Sequence, residues 1–337
     1  MEFFGFTLFG SLTGGALVAV AAVIFVIGLV LTIKGGDWFV DSASWFAEAT
    51  GIPKFVVGAT VVSFATTLPE LLVSVRAAMN GSAQLAIGNA IGSVTANTTL
   101  IMGVSLVAMA GLVNRKSFSL KGGLFLAAVV GLTVLSLKGS LPTWSAFVLW
   151  AIFLVFMISN LVEGKKAAED DEIDSYEKKE IPSKIFFFVL GTASIVFGAE
   201  FLVSSGKTIA SSMGISETII GFTVIALGTS LPELVTTLTA IRKKESSLSV
   251  GNIIGANIID TTLILPLCAI IGGEALPVER VNLVFDFPVC IVASAIAIIP
   301  TIIMGKFKKW QGFALLAVYA TYMALLVLNE TGLVAIG

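Results

Sequence analysis

The sequence predicts an all-α integral membrane protein, with ten transmembrane helices as two inverted five-helix repeats. Three observations predict it. Of the 337 residues, 56% are hydrophobic and only 12% charged, where a soluble domain carries about 25% charged residues. Apolar runs long enough to cross a bilayer as helices recur near 14–33, 53–79, 84–111, 118–137, 143–162, 184–206, 214–241, 248–273, 282–304 and 310–329. The chain also repeats itself at an offset of 163 residues: Gly58 meets Gly221, Leu68-Pro69-Glu70-Leu71 meets Leu231-Pro232-Glu233-Leu234, and Thr98-Thr99-Leu100 meets Thr261-Thr262-Leu263. The register holds without a gap from Gly35/Gly198 to Leu100/Leu263. Five spans is an odd number, so a second copy must enter the membrane upside down. A pseudo-twofold axis in the membrane plane then places any binding site at the midplane, between broken helices.

The expected organisation is a first repeat over 1–162, a charged linker over 163–183 and a second repeat over 184–337. The linker region, EGKKAAEDDEIDSYEKKEIPSK from Glu163 to Lys184, is the only long polar segment and is too charged to bury. Basic residues set the orientation. Sixteen fall on the side of the linker and the even-numbered entries, among them Lys34, Lys54, Arg115, Lys121, Arg242 and Lys306; four fall on the other, Arg76, Lys138, Lys207 and Arg280. The rich side is expected to be cytoplasmic, which puts both termini outside a cell membrane and the linker inside. Trp38, Trp144 and Trp310 fall near expected span ends, as an interfacial belt requires. The N-terminal MEFFGFTLFGSLTGG lacks the basic start of a cleaved signal peptide. The net charge of −2 points to no nucleic-acid partner, no protein partner is implied, and the bilayer is the expected surrounding. There is no histidine, and Cys268 and Cys290 lie in apolar segments, so neither a disulfide framework nor a soft-metal cluster is expected.

The repeated motif carries the chemistry. On a helix, Ser63, Thr66, Thr67 and Glu70 share one face, and the second repeat answers with Ala226, Thr229, Ser230 and Glu233. Pro69 and Pro232 lack an N–H and clash with the carbonyls of Ala65 and Gly228, which frees those oxygens. In the next span Asn89, Ser93 and Asn97 recur every fourth residue; the partner stripe reads Asn252, Ala256 and Asp260. Each element has a plainer reading. Membrane hydroxyls usually back-bond to their own helix, prolines kink, and the GxxxG pairs Gly88/Gly92 and Gly251/Gly255 pack helices. The carboxylates resist the plainer reading, because a mid-membrane acid is costly and no lysine or arginine is expected at matching depth. Hard oxygen donors suit Na⁺ or Ca²⁺. Glu70 and Glu233 together match the charge of one Ca²⁺, and the same oxygens could hold Na⁺ instead. Two guests that exclude each other from one ligand set are what exchange requires.

At ATTLPELLVSV with GNAIGSVTANTTLIMG, and GTSLPELVTTL with GNIIGANIIDTTLIL, the chain resembles the sodium/calcium exchanger family. These stretches look like the family's two α-repeats, here 51–103 and 214–266. The resemblance implies a ten-helix antiporter with alternating access by sliding of the first and sixth helices, and no cofactor beyond the transported ions. It implies Ca²⁺ ligands at Thr66, Glu70, Thr229 and Glu233. Thr67, Ser93, Ser230 and the backbone oxygens of Ser63 and Ala226 would serve Na⁺, with Asn97 and Asp260 lining the centre. The chain departs from the family pattern at Ala65-Thr66-Thr67, at Val94 and at Ala256, where one hydroxyl is missing. A calcium/proton antiporter of the same superfamily is the alternative, although the glutamate after a Gly-Asn pair typical of that branch is absent. A channel would need a continuous pore, and an enzyme would need a solvent-facing nucleophile or base, which the sequence does not offer.

The orientation is open to cysteine labelling. In a Cys-free background, Ser175→Cys in the linker is expected to resist an impermeant thiol reagent added to intact cells; labelling from outside reverses the assignment.

Overall fold

The computed structural model describes residues 2–3, 6–7, 14–170, 178–213, 228–273, 275–330 and 333–334. They are almost wholly helical: α1 Gly14–Thr50, α2 Lys54–Thr66, α3 Leu68–Met79, α4 Ala83–Met109, α5 Arg115–Ser136, α6 Ser145–Asp170, α7 Ile181–Ser212, α8 Leu231–Arg242, α9 Ser246–Ile271, α10 Asn282–Met304 and α11 Lys309–Glu330. Eight of these are long and apolar enough to cross a membrane, and α2 with α3, bent by 47° at Thr67, makes a ninth. The seventh expected span, 214–241, falls in its first half outside the described residues; its second half is α8.

Two expectations about boundaries need correction. The first helix does not stop near residue 33 but runs for 37 residues, about 55 Å at 1.5 Å per residue. Lys34 and Trp38 therefore sit within α1 rather than beyond its end; the Gly35-Gly36 pair between them stays helical, Gly35 packed against Gly191 and Gly36 against Thr239. The charged linker opens as helix, with α6 continuing to Asp170, because its alanines, lysines and glutamates are good helix formers. Trp144 and Trp310 do flank helix starts and are exposed.

Local structure follows the repeat. The offset of 163 relates the bounds of α3 to those of α8, and the starts of α4 and α9. It also relates two π-helical turns, Asn97–Ile101 in α4 and Asp260–Ile264 in α9. The long helices α4 and α9 form the core, with every residue from Leu248 to Ile259 buried. By contrast α1 exposes Val23, Val26 and Val30, a lipid-facing surface. Two antiparallel clasps close the ends of the bundle, Ser140–Leu141 on Leu276–Pro277 and Leu112 on Lys306.

Glycine sets the closest approaches. A Cβ on Gly28 would meet the Gly198 carbonyl oxygen at 2.9 Å, and one on Gly35 would meet that of Gly191 at 2.9 Å. Residue number rises along α1 as it falls along α7, so the two helices are antiparallel. Gly28 and Gly191 are themselves 163 apart, as are Gly35 and Gly198. Each contact thus joins one glycine to the repeat-mate of the other, the self-complementary pattern of a twofold contact. Gly255 likewise lets α9 reach Ala59 and Ser63 of α2, where a Cβ would come 2.6 Å from the Ala59 oxygen. Gly88 and Gly92 meet no described atom within 4 Å, so only the second GxxxG pair is seen to pack.

Gly198→Val should lower stability by about 1–3 kcal/mol through overpacking, read as a lower midpoint of thermal unfolding in detergent. Gly123→Ala, whose Cβ meets nothing within 4 Å, should cause no loss; equal effects of the two would show that the α1–α7 approach is not tight.

Candidate ion-binding site

The prolines do more than kink a helix. In each motif the backbone leaves helical geometry one residue before the Leu-Pro pair, at Thr67 (φ −85°, ψ 0°) and Ser230 (φ −86°, ψ 6°). Pro69 and Pro232 then occupy the second position of a new helix, where the missing N–H has no helical role. Glu70 and Glu233 fall in the first turns of α3 and α8. Partial positive charge from unpaired amides at a helix N-terminus favours a carboxylate there. The single face expected across Ser63, Thr66, Thr67 and Glu70 is thus divided by a hinge. Ser63 to Thr66 end one helix and Glu70 begins the next.

The hinge hydroxyls reach across the repeat boundary. Thr67 Oγ1 donates to Glu233 Oε1 at 3.2 Å, and Ser230 Oγ to Ser93 Oγ at 3.2 Å. Ser93 Oγ lies 3.5 Å from both Glu70 Oε1 and Thr229 Oγ1. Thr66 Oγ1 is 3.1 Å from Asn252 Oδ1 and 3.3 Å from the Ser63 carbonyl. The Ser63 carbonyl also accepts the Thr67 N–H at 2.9 Å, and Ser63 Oγ donates to the Thr60 carbonyl at 3.0 Å. Back-bonding therefore describes Ser63, whereas Thr67, Ser93 and Ser230 connect the two repeats. Asn89 buttresses the hinge, its Nδ2 donating to the Glu70 carbonyl at 3.2 Å and to Ser74 Oγ at 2.9 Å. Ala226 lies outside the described residues.

Glu70, Glu233, Asp260 and Asn97 are all fully buried. Among the described residues, Glu70 Oε2, Glu233 Oε2, both Asp260 oxygens and both polar atoms of Asn97 have no hydrogen-bond partner. Asn97 and Asp260 each open a π-helical turn, a local widening frequent at functional positions. No cationic side chain answers these acids in the described contacts. The buried Lys121 is held by Glu163 at 2.8 Å and lies over the Phe55 ring.

Two features escape the motif reading. Asn252 and Asn257 join repeat to repeat, Asn252 at Thr66 and Asn257 by donating to Thr98 Oγ1 at 2.9 Å. A fourth mostly buried acid, Asp286, accepts from Asn282 Nδ2 at 2.7 Å and from Tyr322 OH at 2.9 Å. The Asn282/Asp286 spacing of four was legible as a polar face on the ninth expected span. Both cysteines are free, and Cys290 Sγ lies 2.9 Å from Thr95 Oγ1.

A helical membrane bundle with buried carboxylates at its centre, met by hydroxyls and by no cationic side chain among the described contacts, is the arrangement of a protein that handles cations within the bilayer. Comparison with known proteins makes the class specific. The family described as sodium/calcium exchanger protein matches residues 20–162 and 183–328. An uncharacterized membrane protein of Methanocaldococcus jannaschii is 34% identical over 310 residues, covering 89% of this chain and 96% of its own. The sodium/calcium exchanger MaX1 of Methanosarcina acetivorans is 32% identical, covering 92% and 99%. A solved structure of the sodium-calcium exchanger NCX_Mj, soaked with 2.5 mM Na⁺ and 10 mM Sr²⁺, superposes with a TM-score of 0.80 at 30% identity, covering 91% and 99%. The chain belongs to the sodium/calcium exchanger family and is a multi-pass cation antiporter.

Proposed function

We propose that this protein exchanges Na⁺ for Ca²⁺ by alternating access at a site of Glu70, Glu233, Thr66, Thr67, Thr229, Ser230, Ser93, Ser63, Ala226, Asn97 and Asp260. The observation that carries the reading is the set of buried carboxylate oxygens on Glu70, Glu233 and Asp260 without a described partner. A carboxylate in that condition is stabilised by a cation brought from outside or by a proton. Two of the three charges suffice for one Ca²⁺, with Thr66 and Thr229 adding neutral oxygens. Thr67, Ser93, Ser230 and the backbone oxygens of Ser63 and Ala226 would serve Na⁺. Asp260 stands where the first repeat has Asn97, and acts as a neutral hydrogen-bonding group while Ca²⁺ is bound.

The architecture we infer is ten spans in two inverted repeats, 1–162 and 184–337, with the termini outside and the 163–183 linker in the cytoplasm. The antiparallel, mate-to-mate glycine contacts of α1 and α7 support it. So does the shared offset of the hinges and π-helical turns. Unpaired backbone at membrane depth is tolerated where it lines such a site.

Proteoliposomes loaded with Na⁺ should take up radiolabelled Ca²⁺ down the Na⁺ gradient. Uptake driven equally well by a proton gradient without Na⁺ would favour the calcium/proton reading. Glu70→Gln and Glu233→Gln should each abolish uptake, because each removes half the charge that replaces Ca²⁺ hydration. Near-normal uptake by either variant removes that glutamate from the site. Asp260→Asn should retain Ca²⁺ affinity within about threefold, less than 1 kcal/mol, in a titration of the purified protein. A loss of a hundredfold or more at neutral pH would mean that Asp260 binds Ca²⁺ as an anion.

A further inference from the structure

The first helix overruns the bilayer. About 20 residues cross the hydrocarbon core as a helix, and α1 has 37. The surplus lies at the linker end of the bundle, where Trp45 Nε1 donates to Glu180 Oε2 at 3.0 Å and Lys184 Nζ sits 5.7 Å from the Trp45 ring. Its face toward α8 is acidic. Asp37 and Asp41 are four residues apart, so they share one side of the helix. Arg242 and Lys243 end α8, where a helix C-terminus favours positive charge. Arg242 Nη2 bonds Asp37 Oδ1, and Lys243 Nζ lies 2.7 Å from Asp41 Oδ1 and 3.7 Å from Asp37 Oδ1. The seam beside them is close: a Cβ on Gly36 would come 2.7 Å from Thr239 Oγ1 and 3.0 Å from Val235 Cγ1. Glu48 carries the charges on to α2, holding Lys54 at 2.8 Å, and Lys54 reaches Glu245 at 2.7 Å.

The other end of the bundle cannot copy these pairs. The repeat-mates of Asp37 and Asp41 are Glu200 and Ser204, and those of Arg242 and Lys243 are Met79 and Asn80. The mates of Lys54, Glu48 and Glu245 are Glu217, Ser211 and Ser82. Every pair loses at least one of its charges. Two inverted repeats that take turns in opening would otherwise present equivalent seams at both ends. Ion pairs confined to one end stabilise the state in which that end is closed, and an equilibrium shifts by whatever free energy differs between its two states.

Resting on the alternating-access reading above, we propose that Asp37 and Asp41 lock α1 against the end of α8, and that this one-ended lock shifts the protein toward the state closed on the linker side. The pairs are partly exposed, so each is worth about fivefold at most in that equilibrium. A bias of that size favours one state and still lets the seam open once per cycle.

The test uses Thr239→Cys, buried at the seam, in the full chain with Cys268→Ala and Cys290→Ala. Its rate of reaction with a water-soluble maleimide is measured on the purified protein in detergent. With opening fast relative to labelling, that rate follows the fraction of time the seam is open. Asp37→Asn with Asp41→Asn should raise it about 3–10-fold, the combined loss of two partly exposed pairs. Exchanging the charges, by Asp37→Lys and Asp41→Lys with Arg242→Glu and Lys243→Glu, should return the rate toward its starting value. Raising choline chloride from about 0.1 M to about 1 M shortens the screening length from about 10 Å to about 3 Å. It should speed labelling where the lock is intact and leave the neutral variant unchanged. A contact that merely packs would neither respond to salt nor be restored by exchanged charges. Labelling equally slow without the two aspartates, or a faster rate that exchanged charges do not reverse, overturns the lock. If the neutral variant cannot be purified, the salt response of the protein with all four charges intact decides. The rate is read without transport, so failure of Na⁺-driven uptake would overturn the exchange reading and not the lock.

Discussion

Three carboxylates are buried, and among the described residues no cationic side chain meets them. Isolating one ionised acid from water is costly even in a protein interior, and here Glu70, Glu233 and Asp260 are all fully buried. The rest of the centre accommodates that constraint. Two helices begin within the bundle, so that the first-turn amides of α3 and α8 lie near the acids. The hinge hydroxyls of Thr67 and Ser230 face the other repeat instead of their own helices. Apart from Lys121, which is tied to Glu163, the cations with partners in the structure stay near helix ends. Lys54 meets Glu245, and Lys243 meets Asp41. A resident lysine beside Glu70 would satisfy the acids permanently. Its absence leaves them dependent on something that can come and go.

The same constraint explains why the hinge is built from a Leu-Pro-Glu sequence. An unbroken helix would place Glu70 at mid-helix, with every nearby amide already bonded. Breaking at Thr67 moves it to a helix start, and the proline in second position fixes that start without losing a bond. The bend of 47° between α2 and α3 then turns the Thr66 and Thr67 hydroxyls toward Asn252 and Glu233. Close packing of α9 on α2 through Gly251 and Gly255 brings the polar residues of the second repeat within hydrogen-bond reach of the first.

Much of this was legible in the sequence because it is local or periodic. Apolar run length gave the spans, the 163-residue offset gave the duplicated elements, and the pairing of proline with glutamate singled out the centre. The end of the first helix was not legible. Lys34 and Trp38 look like an interface, yet the Gly35-Gly36 pair between them packs against Gly191 and Thr239 instead of ending the helix, and α1 carries them past the length a bilayer needs. The hinge was read as a kink because Pro69 marks the disturbance two residues past Thr67, the residue that leaves helical geometry. The π-helical turns at Asn97 and Asp260 have no signature at all, since the extra residue per turn is set by packing rather than by propensity. Asn252 and Asn257 were missed as partners because their contacts cross from one repeat to the other, more than 150 residues away in sequence.

A duplicated unit tends toward equivalence, and here Leu-Pro-Glu-Leu and Thr-Thr-Leu are identical in both copies. The hinges agree to within a few degrees, at φ −85° and −86°, so the backbone supplies the same framework twice. At the centre the side chains differ at Ser63 against Ala226, Ser93 against Ala256, Val94 against Asn257 and Asn97 against Asp260. The first repeat holds the surplus hydroxyls and the second the surplus acid. On the Na⁺/Ca²⁺ reading proposed above, a difference of one oxygen or one charge would alter which ion fits without disturbing the hinges and glycine contacts that present the site. Selectivity and architecture can therefore vary independently, the first by exchanging serine, alanine, asparagine and aspartate at the centre, the second fixed by glycine contacts and hinges.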